Sequence, residues 1–332
     1  MPARRSSRVR HVHWSLTMSD IRTVERADDP WLRHVDYLRT SLLAPRDGQA
    51  SSLYLLVDTR SQPDLQKRWV EDRSWRYVSL WDGLSTAAYH DIAPYLIAIE
   101  PDVLDGRDGR HALLRQLWMD VADRPMLTWV ASPFGLDALA QHFRRFCTFR
   151  NPALRLFYLH FYDNRVLTRL HQGFEPALWQ AFVAPCHALG SRDRRNRPVV
   201  WRNSQPPLYT PDPTPLMLSE VQHRRLLEVG YPDKLAMQLR RSCDVDEDEV
   251  ADADWIERVE TQLARAATYG LKEEQALARY TILGVLISRT FDEHPAVQPI
   301  LQRLADGESA SATLDAVEAA VERHVDELTG NG

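Results

Sequence analysis

His160, Asp163 and Arg165 are the residues of this chain whose types and spacing invite chemistry. They fall in the stretch Leu154 to Leu167, which reads Leu-Arg-Leu-Phe-Tyr-Leu-His-Phe-Tyr-Asp-Asn-Arg-Val-Leu. An imidazole close to a carboxylate, joined by Asp58 at the end of another apolar run, is the raw material of an acid/base group and of a hydrolase-like activity. The same residues have an architectural use. An Asp where a strand turns into a helix caps the helix through its carboxylate, and an Arg two residues later can pair with a strand-end carboxylate such as Asp58. Missing companions favour the second use: the sequence has no GxSxG elbow, no glycine-rich phosphate loop before a helix, no HExxH and no kinase set.

Other clusters carry less. Cys147, Cys186 and Cys243 are odd in number, far apart and without CxxC spacing, which disfavours disulfides and zinc and suits a reduced, cytoplasmic setting. The acidic run from Asp244 to Asp254 alternates like a calcium loop but lacks the glycine at the bend and a bidentate Glu, so it reads as a solvated loop. His11 and His13 have no further ligands nearby. No catalytic, cofactor-binding or metal-binding set is expected. Arg192, Arg194, Arg195 and Arg197 make a basic patch that is either a charged hairpin turn or a surface for an acidic partner. Ten tryptophans are many for one modest core, so some should lie at interfaces, where Trp, Tyr and Arg concentrate binding energy. Trp81, Tyr95, Trp129, Trp201, Arg194 and Arg195 are the candidate interface.

The elements that must position these residues follow from composition and periodicity. A length of 332 residues with 44% hydrophobic content suits two globular domains. A net charge of -5, with both signs mixed along the chain, gives no field for nucleic acid, and no apolar run approaches the length needed to cross a bilayer. Residues 1–20 read as a disordered tail, with Met18 as an alternative start. A helix is expected around Trp31 to Leu43, then a buried strand at Ser51 to Asp58, a helix from Pro63 to Val70, and strands at Trp75 to Trp81 and Ala93 to Ile99. Helical stripes at His111 to Val121 and Leu136 to Cys147 flank a strand at Met126 to Ala131. The run from Leu154, apolar on both faces, reads as the buried central strand that completes the sheet, with helices at Arg165 to Leu170 and Pro176 to Val183 beyond it. The prolines between 206 and 215 mark a stiff linker, and everything after it reads as helix, with separate segments at Glu220 to Val229 and Lys234 to Arg241. The expected architecture is an α/β domain with a mixed sheet over 21–203, motif core 51–170, a proline-rich linker over 204–216 and a small all-helical lobe over 217–330.

Six segments in order resemble the conserved domain of type VI secretion effector chaperones, also called adaptors. They are Leu-Tyr-Leu-Leu-Val-Asp (53–58), Val-Ser-Leu-Trp-Asp-Gly (78–83), Ala-Pro-Tyr-Leu-Ile (93–97), Leu-Thr-Trp-Val-Ala-Ser (127–132), Leu-Ala-Gln-His-Phe-Arg-Arg (139–145) and Phe-Tyr-Asp-Asn-Arg-Val-Leu (161–167). The chain departs from the family pattern at His160, where the family usually has Arg, and at Asn164, where it usually has Pro. The resemblance implies a cytoplasmic, non-catalytic protein without a cofactor, whose partners are a toxic effector and the VgrG spike. A toxin-binding immunity protein is the other binding role to be separated from it.

Overall fold

The computed structural model describes residues 29–44, 50–68, 74–121, 123–243, 245 and 250–330. The expected tail over 1–20, Trp69, Val70 and most of the acidic run from Asp244 to Glu249 lie outside the described residues. The chain divides into two compact units, one of residues 1–142, 183–191 and 199–211, the other of 143–182, 192–198 and 212–332.

The first unit is built on a six-stranded sheet in the order β2-β3-β1-β4-β7-β8. Its strands are β1 (Ser52–Asp58), β2 (Tyr77–Ser79), β3 (Pro94–Ile99), β4 (Leu127–Ser132), β7 (Ala188–Arg192) and β8 (Pro198–Arg202). β1 is the central strand. It pairs antiparallel with β3 on one side and β4 on the other, which places Leu55 opposite both Ile97 and Trp129. Every residue of β3 and β4, and all of β1 beyond Ser52, is buried, so both sheet faces are covered. β3 opens on Pro94, where a missing N–H costs the ladder least.

Helix α1 (Pro30–Tyr37) starts at Asp29, whose carboxylate accepts the Trp31 N–H at 2.9 Å, and continues as a π-helical turn to Leu42. It brings Trp31 against Trp118 of α3 (Arg110–Val121), with ring centroids 5.6 Å apart, and His34 between Trp118 and Trp129 at 4.8 and 5.4 Å. A short α2 (Pro101–Leu104) precedes α3. Gly190, opposite Trp129 in the ladder, leaves room for Leu42; a Cβ there would lie 2.9 Å from its methyl carbons.

In the second unit β5 (Thr148–Arg150), β6 (Leu156–Tyr158) and β9 (Leu216–Met217) form a small sheet in the order β6-β5-β9. α4 (Leu136–Phe146) leads into it, and α5 (Asn164–Gly173) and α6 (Pro176–Val183) follow. The remainder is helical: α7 (Glu220–Ser242), α8 (Asp252–Thr268), α9 (Glu274–Leu286), α10 (Gln298–Gln302), α11 (Ala310–Arg323) and α12 (Val325–Thr329). Ser219 and Gln222 form a reciprocal capping box at the start of α7. Leu235 and Leu239 of α7 close over Trp255, Ile256 and Val259 of α8, while Tyr280, Phe291, Leu301, Leu314 and Val317 form the core of the last helices.

An α/β sheet followed by a helical region is therefore the architecture, but several expectations need correcting. The run from Leu154 is not a buried central strand. Leu154 sits at φ 59° in a hairpin turn, β6 holds three residues at a sheet edge, and all three are exposed. The second unit begins at Phe143 rather than after the prolines, because α5 packs on α7; a Cβ on Gly173 would come within 2.8 Å of both Leu226 and Val229. Leu216, placed at the end of the linker, belongs to β9. The two helices expected across Gly230 and Pro232 are one helix, α7, with Pro232 inside it.

Candidate functional site

Asp163 stands at the junction of the small sheet and α5. Its Oδ1 accepts the Arg165 N–H at 2.9 Å as the helix cap, and its two carboxylate oxygens receive Nε and Nη2 of the same Arg165 at 3.0 and 2.8 Å. That bidentate pair, chiefly through its side-chain hydrogen bonds, holds the Arg165 guanidinium above its ordinary range. Asp58, in the first unit, is built the same way: it accepts the Arg60 N–H at 3.1 Å and the Arg60 guanidinium at 2.6 to 3.2 Å. Here the expected pairing of Arg165 with Asp58 is corrected. Each carboxylate, Asp58 at the end of β1 and Asp163 at the start of α5, takes the arginine two residues after it, because the bond to that residue's N–H already turns its side chain back over the carboxylate. His160 meets the Tyr162 hydroxyl through Nδ1 at 2.7 Å and stacks on Tyr158. The acid/base group drawn from Asp58, His160 and Asp163 thus resolves into a capped turn in one unit and a second capped turn in the other.

The candidate interface is also redrawn. Trp81, Tyr95, Trp129 and Trp201 are 5%, 3%, 2% and 6% exposed, so they are core residues of the first unit rather than surface anchors. Trp31, Trp75, Trp118 and Trp255 are buried as well. A sheet covered on both faces has room for more large side chains than one with a single apolar face. Burial and the neighbouring Tyr77, Asp82 and Asp91 push the Tyr95 phenol up to about 12.

Arg194 and Arg195 sit on the turn between β7 and β8. Their acidic partners lie within the second unit. Arg194 bridges Asp233 of α7 and Asp252 of α8 at 2.8 and 2.6 Å; Arg195 reaches Asp254 and Glu257 of α8. Arg169 of α5 joins Asp233 and Glu260 at 3.1 and 2.6 Å. Burial opposes the Arg169 charge, but the bonds to Asp233 and Glu260 outweigh it and raise its pKa. The basic patch and part of the acidic segment are thus two halves of one ion-pair network.

Two further places were candidates for ligands. A cavity of about 290 Å³ in the first unit is lined by Arg39, Ser52, Tyr54, Arg76, Glu100 and Asp105 among others. Arg39 is held by Asp105 at 2.6 Å, Glu100 lies 3.1 Å from Arg110, and Tyr54 donates to the Phe134 carbonyl at 2.7 Å. In the second unit His294, His324 and Glu327 bring two ring nitrogens and a carboxylate within 4.8 Å of one another. His294 Nδ1 accepts the Ala296 N–H at 3.2 Å, so the neutral ring carries its proton on Nε2 and donates it to Glu327 at 3.2 Å. A metal at Nε2 would drive that proton onto Nδ1, against the Ala296 N–H. Hydrogen bonds from His324 and then His294 hold the Glu327 carboxyl below its usual range. This set is a hydrogen-bonded clasp on α12. Among the described residues no helix is long and apolar enough to cross a membrane.

Fold and site together define a two-unit protein, an antiparallel sheet unit and a mostly helical one, whose conspicuous charges are spent on caps and ion pairs. Residues 53–181 match the family model of a domain of unknown function, DUF4123, from β1 through most of α6. No curated protein and no solved structure matches the chain. The surface not legible residue by residue is β6, whose Leu156 and Tyr158 are exposed on one face while Phe157 stacks on Phe149 on the other. Its signal was present in the sequence as a run greasy on both faces, but that signal cannot distinguish a strand covered by its own fold from one left for a partner.

Proposed function

We propose that the chain is a type VI secretion adaptor, a cytoplasmic chaperone that binds a cognate toxic effector and promotes its loading onto the VgrG spike. The observation that carries this is the DUF4123 match over 53–181, a family associated with type VI effector chaperones, which coincides with the six ordered segments between 53 and 167. The geometry is compatible with a binding role: Asp163, Arg165, Asp58 and Arg60 stabilise turns, and His160 is hydrogen-bonded to a tyrosine. On this account the protein is not an enzyme and needs no cofactor.

The test is co-expression of the full chain with a VgrG spike protein and a candidate toxin, followed by pull-down. The adaptor role predicts that the toxin co-purifies with the chain and gains solubility, and that adding the spike protein yields a ternary complex. Failure of both to co-purify sinks it. Protection of target cells by this chain against the toxin would instead assign an immunity protein.

A further inference from the structure

β6 is the edge strand of the second unit's small sheet, with β5 on one side. Edge strands are normally blunted by charge, proline or a bulge, because an open row of backbone groups recruits other strands. Leu156-Phe157-Tyr158 carries no charge, proline or bulge, and its shortness, three residues, is the one blunting device it has. Leu154, Leu156, Phe157 and Tyr158 are 63%, 46%, 38% and 43% exposed.

Register defines a face. Leu156 pairs with Arg150, and Arg150 pairs with Met217 of β9, so Leu156 and Met217 flank Arg150 on one side of the sheet; Tyr158, two residues along, shares that side. Met217 is 48% exposed. The bonds from Asn151 N to Arg155 O at 3.1 Å and from Leu159 N to Cys147 O at 2.8 Å set which residues of β6 address β5. In an antiparallel ladder the alternate residues face away, so the Leu156 amide and carbonyl point to the open edge.

Charge completes the picture. Arg150 donates to the Leu154 carbonyl at 2.8 Å and has no carboxylate partner among the described residues. Arg155, at the start of the strand, is exposed, and its guanidinium likewise meets no carboxylate among them. This contrasts with Arg194, Arg195 and Arg169, each of which meets acidic side chains within the unit. Arg150 shares the Leu156 side of the sheet, whereas Arg155, one residue before Leu156, turns to the other, so a segment with apolar residues beside Leu156 and Tyr158 presents its alternate, acidic residues to Arg155.

We propose that β6 is a docking edge for an extended acidic segment of a partner protein, which adds as a strand beside Leu156. Its apolar side chains lie along Leu156 and Tyr158, and its carboxylates, on the other face, meet Arg155. Pairing between two copies of this chain is the poorer occupant, since it adds Arg155 from each edge and supplies no carboxylate. That the partner is the secreted effector rests on the adaptor role; the strand chemistry does not.

The probe is a fluorescein-labelled peptide of about ten residues alternating Val with Glu, compared with its Val/Lys counterpart, titrated with the full chain and followed by anisotropy. Leu156→Pro removes an N–H from the open edge and spares the ladder to β5; Arg155→Glu reverses an exposed charge without touching the core. The expected result is binding of the acidic peptide only, weakened by about tenfold or more in Leu156→Pro and transferred to the Lys peptide in Arg155→Glu. The proposal is overturned if neither peptide binds, or if both variants bind the acidic peptide as the parent does. Dimerisation of the parent in sedimentation that Leu156→Pro abolishes would also overturn it, assigning the edge to a second copy. Co-purification of the toxin separates the two claims. Peptide binding without toxin binding removes the adaptor role and leaves the edge standing, whereas toxin binding by a chain that binds neither peptide removes the edge and leaves the adaptor role.

Discussion

Asp163 illustrates how one side chain does two jobs at a turn. Its carboxylate satisfies an N–H that α5 cannot bond internally and at the same time fixes the Arg165 guanidinium in a planar pair. Asp163→Ala should destabilise the full chain by about 1 to 2 kcal/mol in urea unfolding, while Asp163→Asn, which still caps, should lose clearly less. An unchanged midpoint for Asp163→Ala would show that the cap is dispensable. The cysteines give a second test at this scale. Burial pushes the Cys147 thiol up, with Arg144 opposing, and burial does the same at Cys186, so neither offers thiolate near neutral pH. Cys243 alone is partly exposed. A chromogenic disulfide reagent should therefore titrate one thiol in the folded protein and all three in denaturant; rapid reaction of a second thiol under native conditions would contradict the buried placement.

At the scale of elements, the informative case is α7. A proline inside a helix removes one N–H and crowds the preceding turn, which is why Gly230 and Pro232 suggested a break. The helix continues because both halves have anchors: the capping box and Leu226 against α5 on one side, Leu235 and Leu239 against Trp255 on the other. Tertiary burial outweighs a local cost of about 3 kcal/mol. Pro232→Ala restores a donor to the Glu228 carbonyl and should raise the melting temperature, with a gain of about 1 to 3 kcal/mol. A lower melting temperature would mean that the proline-imposed bend is itself needed for packing. The same competition between local and tertiary terms operates at β6, where an apolar strand is held from one side by its pairing with β5.

For the molecule as a whole, the division into units does not follow chain order. β5, β6, α5 and α6 precede the proline stretch yet pack with the helices that follow it, and the turn between β7 and β8 supplies Arg194 and Arg195 to α7 and α8. Truncation after Asp212 should therefore not leave a clean N-terminal domain. It strips β9 from β5, uncovers Gly173 of α5 and leaves Arg169, Arg194 and Arg195 without their carboxylates. The truncated chain is expected to aggregate or to show early proteolysis between Phe143 and Phe182, read by limited digestion against the full chain. A soluble, protease-resistant fragment would restore the linear domain boundary. This bears on function, because loss of effector binding after such a deletion would report unfolding as much as a missing lobe.

How much of this was legible follows from the range of the forces. Strands β1, β3 and β4 and helices α3, α4, α6 and α8 could be placed because their periodicity is written in residues a few positions apart. The cap at Asp163 was legible for the same reason: donor and acceptor are two residues apart. The short strands β5, β7, β8 and β9 were not anticipated, since two to five residues carry too little pattern and their pairing partners lie far along the chain. Sequence alone thus determined the sheet's middle strands, the turn chemistry and the match of residues 53–181 to a domain model of unknown function. Only tertiary structure decided that the tryptophans named as interface anchors are core, that the basic turn meets the chain's own acids, and that the strand from Leu156 stands at an open edge. Whether an apolar side chain is covered depends on which distant segment arrives to cover it, and that is settled by the fold as a whole.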